Sequence, residues 1–148
     1  MQVGVLRLVV VTGVALTIAC GGERAAEQAA DSAAARVEIV RPSDGDITGP
    51  NVWVQLEAHG VRIAPAQGIP IEGEGHHHLF VDKDVTPPGD TIPREVDGII
   101  HLGTGASEYE LRDLSPGSHR IIAVLAYGDH IPMPDVAANT VQIFVQAP

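Results

Sequence analysis

The sequence holds a single cysteine, Cys20, in 148 residues, so no disulfide can form within one chain. An exported form must therefore hold its fold with a core or with a metal. Basic residues are also scarce, with nine Lys and Arg against 19 Asp and Glu. The resulting net charge of −10 argues against nucleic acid and against an electrostatic grip on anionic lipid. No long hydrophobic run is available to cross a bilayer as a helix. The run Leu8 to Ala19 has twelve residues, and a span needs about twenty.

Several chemistries lack their sequence signatures. There is no phosphate-cradling glycine loop and no dinucleotide fingerprint. GTGASEY, residues 103–109, is not a nucleophile elbow, because Ser107 lacks the flanking glycines. Ser118 beside His119 is not a dyad by adjacency alone. VDKDVTPPGD, residues 81–90, offers Asp82, Asp84 and Asp90 without the spacing of a calcium loop, and reads as a rigid, solvated connection.

What is present begins with a leader. MQVGVLRLVVVTGVALTIAC sets one basic residue, Arg7, before an apolar stretch of secretory length. The stretch ends at Ala19-Cys20-Gly21-Gly22, which resembles a bacterial lipoprotein cleavage box, although Leu16 stands four rather than three before the cysteine. The resemblance implies a signal peptide over residues 1–19 and a lipid on Cys20. It also implies a place in the bacterial cell envelope, outside the cytoplasm, with the membrane as partner. Removing residues 1–19 removes Arg7 and leaves a net charge of −11. Residues 20–35 are small, polar and alanine-rich, a flexible tether reaching on the order of 20 Å.

From Arg36 to Pro148 the pattern is that of strands. RVEIV, NVWVQLEAH, HHHLFVDK, GIIHLG, SEYELRDL, HRIIAVLAY and NTVQIFVQ are short and rich in β-branched and aromatic residues. Val52, Val54 and Leu56 share one face, as do Val141, Ile143 and Val145. RPSDGDITGP, VTPPGDTIPREVDG, GTGA and LSPGS supply the turns. No helical apolar stripe appears. The expected fold is all-β, a seven-stranded antiparallel sandwich of immunoglobulin-like type. Trp53, Phe80, Tyr109, Tyr127 and Phe144 are expected in its core.

The chain's chemistry lies in its seven histidines. If consecutive strands run antiparallel, His59, His76, His77, His78, His101 and His130 fall at one end of the sandwich. His119 starts the sixth strand roughly 35 Å from His130 at about 3.3 Å per residue, and is expected to be structural. Alternation sends His76 and His78 to one face and His77 to the other. The triplet thus offers two imidazoles to one ion, and another loop must supply the rest. His130, with His101 or the nearby Met133, is the natural source.

These residues, in this order, resemble a family of exported bacterial domains, the domain of unknown function 4399. Gly75 with His76, His77, His78 and Asp82 is similar to its glycine-histidine stretch. His101 before Gly103 and Gly105, then Pro116-Gly117 with His119, then Gly128-Asp129-His130 with Pro132, follow in the same order. The chain departs from that pattern at Gly105-Ala106-Ser107 and at Met133, where the family usually has a second histidine. The resemblance spans roughly residues 70–148 and implies no activity.

The leading expectation is a module binding copper or zinc through two or three of His76, His78, His101 and His130, with Met133 as a weak soft ligand. The alternative is a non-catalytic scaffold whose histidines bond to backbone while the loops meet a protein or envelope partner. Imidazole nitrogens gathered within about 4 Å of one point favour metal, and histidines facing separate carbonyls favour scaffold. A hydrolytic enzyme would need a metal-bound water and a base such as Glu72 or Glu74, and no further motif supports one.

Overall fold

In a computed structural model of the chain, residues 34–147 are described. The leader, Cys20 and the tether up to residue 33 lie outside them. Among the described residues there are nine strands and no helix. They are β1 (Arg36–Arg41), β2 (Ile47–Thr48), β3 (Val52–His59), β4 (Arg62–Ile63), β5 (Glu74–Val81), β6 (Ile99–Leu102), β7 (Glu108–Leu111), β8 (Gly117–Ala126) and β9 (Asn139–Val145).

Two sheets form. One has the order β1-β3-β7 and is antiparallel throughout. The other has the order β2-β9-β8-β5-β4, with β6 paired to β5 on the edge that β4 also uses. Alternating apolar residues of both sheets meet in one core. Val37, Ile39, Val52, Val54, Leu56 and Leu111 come from the first; Leu79, Ile121, Ala123, Leu125, Val141, Ile143 and Val145 come from the second. The chain is therefore a β-sandwich, stabilised chiefly by burial of this apolar layer.

The seven expected strands all form, within three residues of their expected limits. Two more, β2 and β4, bring the count to nine, and each pairs in parallel, β2 with β9 and β4 with β5. The antiparallel seven-stranded expectation is corrected to that extent. Two residues are too few to show a period of two, so periodicity cannot reveal such strands.

Strand β5 is buried on both faces, and this sets up the site. Its odd-numbered side chains, Leu79 and Val81, face the inter-sheet core. On the opposite face Phe80 joins Ile92, Ile122, Val124 and Ala126 in a second, smaller core, packed by Val85 and Ile99. The connection between β5 and β6 supplies Val85 and Ile92 and so covers the outer face of the sheet. His76 and His78 occupy this covered face, in line with Phe80.

Three aromatics do not pack as expected. Trp53, Tyr109 and Phe144 are exposed, Trp53 at 59%. Parity explains two of them: with Val52 and Val54 inward Trp53 points out, and with Ile143 and Val145 inward Phe144 points out. Phe80 is fully buried and Tyr127 half-buried against the inter-sheet core.

Candidate metal centre

His76, His78, His101 and His130 converge, one ring nitrogen from each lying within 4.8 Å of the other three. Atoms so placed fit inside a sphere of about 3 Å radius, against metal–imidazole bonds of about 2.0–2.1 Å. The Nε2 atoms of His76 and His78 are 2.9 Å apart, and those of His101 and His130 are 3.0 Å apart. Ring centroids stand 4.6 to 5.0 Å apart, except the His78–His130 diagonal at 5.7 Å. The four rings thus stand near the corners of a tetrahedron that is stretched along the His78–His130 edge.

Three segments hold the four imidazoles. His76 and His78 are two residues apart on β5, so their side chains share a face. His101 on β6 is the cross-strand partner of His78. Their rings stack at 5.0 Å and 23°. His130 follows β8, whose last residue, Ala126, is opposite His76. Its backbone is left-handed, with φ of 70°, an uncommon state for a non-glycine residue. Two backbone bonds pin it there. Its N–H donates to Tyr127 O at 2.8 Å, and its carbonyl accepts from Ile92 N–H at 2.9 Å.

Gly103 completes the seat. A β-carbon on it would come within 2.2 Å of Cε1 and Nε2 of His101, so only glycine lets that ring lie where it does. The sequence reading did not single out this role. A glycine two residues beyond a histidine, on the same face of a strand, was its only signal.

Burial and mutual repulsion disfavour the charged forms of His76, His78 and His101. His76 and His78 are fully buried and His130 is 9% exposed, while His101 reaches solvent. Burial, then the potential positive charges of His101, His130 and His77, lowers His76 to a pKa of about 4. The same burial, followed by repulsion from His76, His101, His130 and His77, lowers His78 to about 2. His101 is lowered by burial of its covered part, then by His130 and by the guanidinium of Arg94. Neutral imidazole is the ligating form. The Nδ1 atoms of His76 and His78 are buried with no partner among the described residues.

The other sequence-derived candidates lie elsewhere. His77 points away from the quartet, and its Nδ1 is 3.0 Å from Ala106 O. Burial lowers its pKa, against the opposing pull of that carbonyl. His59 sits at the end of β3 near Glu38 and Glu57, at 3.6 and 3.9 Å. Of the six histidines expected at one end of the sandwich, four share one point; His77 lies on the opposite face of β5, as alternation placed it, and His59 is on β3 in the other sheet. Met133 is packed in the inter-sheet core, its sulfur 2.9 Å from where a β-carbon of Gly75 would stand. Glu74 pairs with Arg62, and Glu72 is exposed.

His119 is bound at the far end of the sandwich. Its Nδ1 meets Asp82 Oδ2 at 2.6 Å and its Nε2 meets Ser115 O at 2.7 Å. Ser115 Oγ is also within 3.4 Å of Nε2. The shorter bond to the carbonyl occupies that nitrogen as a donor, so this Ser-His-Asp grouping does not present a free base to the hydroxyl. Burial alone would lower His119, yet the Ser115 carbonyl and the Asp82 carboxylate raise it overall.

The profile of the Domain of unknown function (DUF4399) matches residues 54–146. The chain belongs to the DUF4399 family. The matched segment carries all four histidines of the quartet and begins within β3. No curated protein matches the chain. Among solved structures it is similar to the fibronectin(III)-like modules of Clostridium thermocellum CbhA, at TM-score 0.44 and 18% identity. That likeness covers 74% of this chain and 96% of the other. A second likeness is to the extracellular domain of the one component system BT4673 from B. thetaiotaomicron, at TM-score 0.43 and 11% identity. It covers 78% of this chain and spans 15% of that one.

Proposed function

We propose that this DUF4399 protein is a non-catalytic module that binds one transition-metal ion, copper or zinc, through His76, His78, His101 and His130. The observation that carries the reading is the convergence of four ring nitrogens within 4.8 Å. Four nitrogens around one ion stand about 2.9 Å apart along a square edge at bond lengths of about 2.0–2.1 Å. The two short Nε2 separations, 2.9 and 3.0 Å, fit such edges. An all-imidazole set suits either ion, zinc through its tetrahedral preference and copper(II) through its affinity for nitrogen donors. Met133 is left out of the donor set, which removes the soft thioether that would have favoured copper(I).

The lipid on Cys20 and a position outside the cytoplasm belong to this proposal too. They rest on the leader sequence, and they would hold the metal site in the cell envelope on a short tether.

A second reading has one observation in its favour. The same short Nε2 separations are hydrogen-bond distances, so the quartet can be read as two imidazole pairs that brace the covering loop. The buried Nδ1 atoms of His76 and His78 are without partners under either reading, so binding itself has to decide. Titration of the untagged full chain with copper(II) and zinc(II), beside a His78→Ala/His130→Ala variant, separates the two. Stoichiometric binding lost in the variant supports the metal module. No binding tighter than micromolar, or binding that the variant retains, leaves the scaffold.

A further inference from the structure

Beside the quartet the covering connection from β5 to β6 leaves an opening at His101. His101 is its only exposed imidazole. That ring lines a solvent-open depression of about 700 Å³ together with Arg94, Glu95 and Ile99. His76, His78 and His130 are buried, and His76 also borders a small separate cleft with Gln67, Ile69 and Gly128. An ion held by the four nitrogens is therefore reached by solvent from the His101 side.

Charge makes this opening chemically particular. The donor set is four imidazoles, which ligate without a charge of their own, and contains no carboxylate. A bound dication keeps its full charge in a largely buried place, which is unfavourable unless compensated. Arg94 adds a further positive charge on the rim and forms no salt bridge or side-chain hydrogen bond among the described residues. Its planar fork is suited to an oxoanion with two parallel oxygens. Copper(II) held by four imidazoles would accept a further, weaker ligand.

We propose that this depression is an anion subsite, which takes a small carboxylate between the bound metal and Arg94. One carboxylate oxygen coordinates the ion and the other accepts from the guanidinium, so the ligand offsets charge at both. No bond is made or broken in the ligand. Glu95 shares the rim in a left-handed conformation, φ 60°, and its side chain is the internal competitor for the same position. The inference rests on the metal reading and extends it from a bare ion to an ion with a carboxylate.

The test uses the untagged full chain loaded with one equivalent of copper(II), titrated with sodium formate while the copper absorption and spin-resonance spectra are followed. The parent and Arg94→Gln proteins are first titrated with copper alone. Arg94 touches none of the four nitrogens, so these copper affinities should agree within about threefold. Formate should then give a saturable spectral change in the parent, with at least tenfold weaker binding in Arg94→Gln. An equal response in both proteins, or none in the parent, overturns the anion subsite and leaves the metal reading standing. A response that appears only in Glu95→Gln assigns the position to Glu95 and also overturns it. Failure of the parent to bind copper without formate overturns the metal reading, and this inference with it, whereas loss of copper binding in Arg94→Gln alone overturns the anion subsite only.

Discussion

His78 and His101 are cross-strand partners on β5 and β6, and their rings stack 5.0 Å apart on the covered face of the larger sheet. One ring is fully buried and the other reaches solvent. The pair therefore joins a fixed interior ligand to an accessible one, and the two should respond differently to substitution. His101→Ala should fold as the parent does, because a short edge strand loses only a partly exposed ring. His78→Ala opens a cavity beside Phe80 and should cost on the order of 2 kcal/mol as well as the metal. Thermal unfolding of both metal-free variants checks the contrast. Equal loss in the two would contradict it.

Gly103 tests positioning without touching a ligand. Gly103→Ala should push the His101 ring from its seat and weaken metal binding by roughly 10- to 100-fold, the range for groups that orient ligands. A metal titration measures it. In a His101→Ala background the same change should have no further effect on affinity, since the displaced ring is already gone.

The metal-free protein should lose stability as pH falls below about 6.5. Burial, then repulsion among neighbouring imidazoles, depresses His76 to about 4 and His78 to about 2 when folded. Unfolded histidine takes its proton near 6.5 while the folded side chains remain neutral, so the unfolded state binds more protons in that interval. Stability is full above 6.5. It declines from there through pH 4 for His76 and onward for His78. Denaturant melts of the metal-free chain from pH 7.5 to 4.5 would show it, and a His76→Gln/His78→Gln variant should flatten the profile.

His119 should behave in the opposite sense. Burial opposes its charge, but Ser115 O and Asp82 outweigh that and raise its folded pKa. Its contribution is then fullest below 6.5 and is lost as pH rises through the raised value. Asp82→Asn removes the charged acceptor at 2.6 Å and should cost about 1–3 kcal/mol. The loss should be larger at pH 5.5 than at pH 8.5 in denaturant melts. A loss independent of pH would point to the bond between Asp82 and Arg120 N–H instead.

Trp53, the one tryptophan, gives a simple check on the fold. It is 59% exposed on the outer face of β3. Its fluorescence should be red-shifted and readily quenched by acrylamide in the folded state. Trp53→Ala should change stability by less than about 0.5 kcal/mol. Blue-shifted, protected emission would place it in a core after all.

Much of this architecture was legible from residue order. Alternation located seven strands, and antiparallel succession brought His101 and His130 to the same end as His76 and His78. Parity separated His77 from its neighbours, and the same rule, applied to Val52 and Val54, would have put Trp53 outside. What stayed hidden lay in the connections. Nothing periodic marks β2 or β4, and nothing in Asp82–Gly98 announces that Ile92 covers the outer face of β5 or that Arg94 borders His101. Such placement depends on where an irregular segment folds back, which sequence spacing does not encode. Met133 was expected near the histidines because it follows His130 by three residues. The chain turns between them, and the bond from Met133 N–H to Leu125 O ties that residue back against β8 while its side chain joins the inter-sheet core.

The most direct measurement of the central claim is pulsed electron spin resonance on the copper(II)-loaded, untagged full chain, which counts the imidazoles bound to the ion. Four coordinated imidazoles in the parent and three in His101→Ala are the expected result. Fewer than two in the parent, or a count unchanged by His101→Ala and by His78→Ala, would contradict a metal centre built from this quartet.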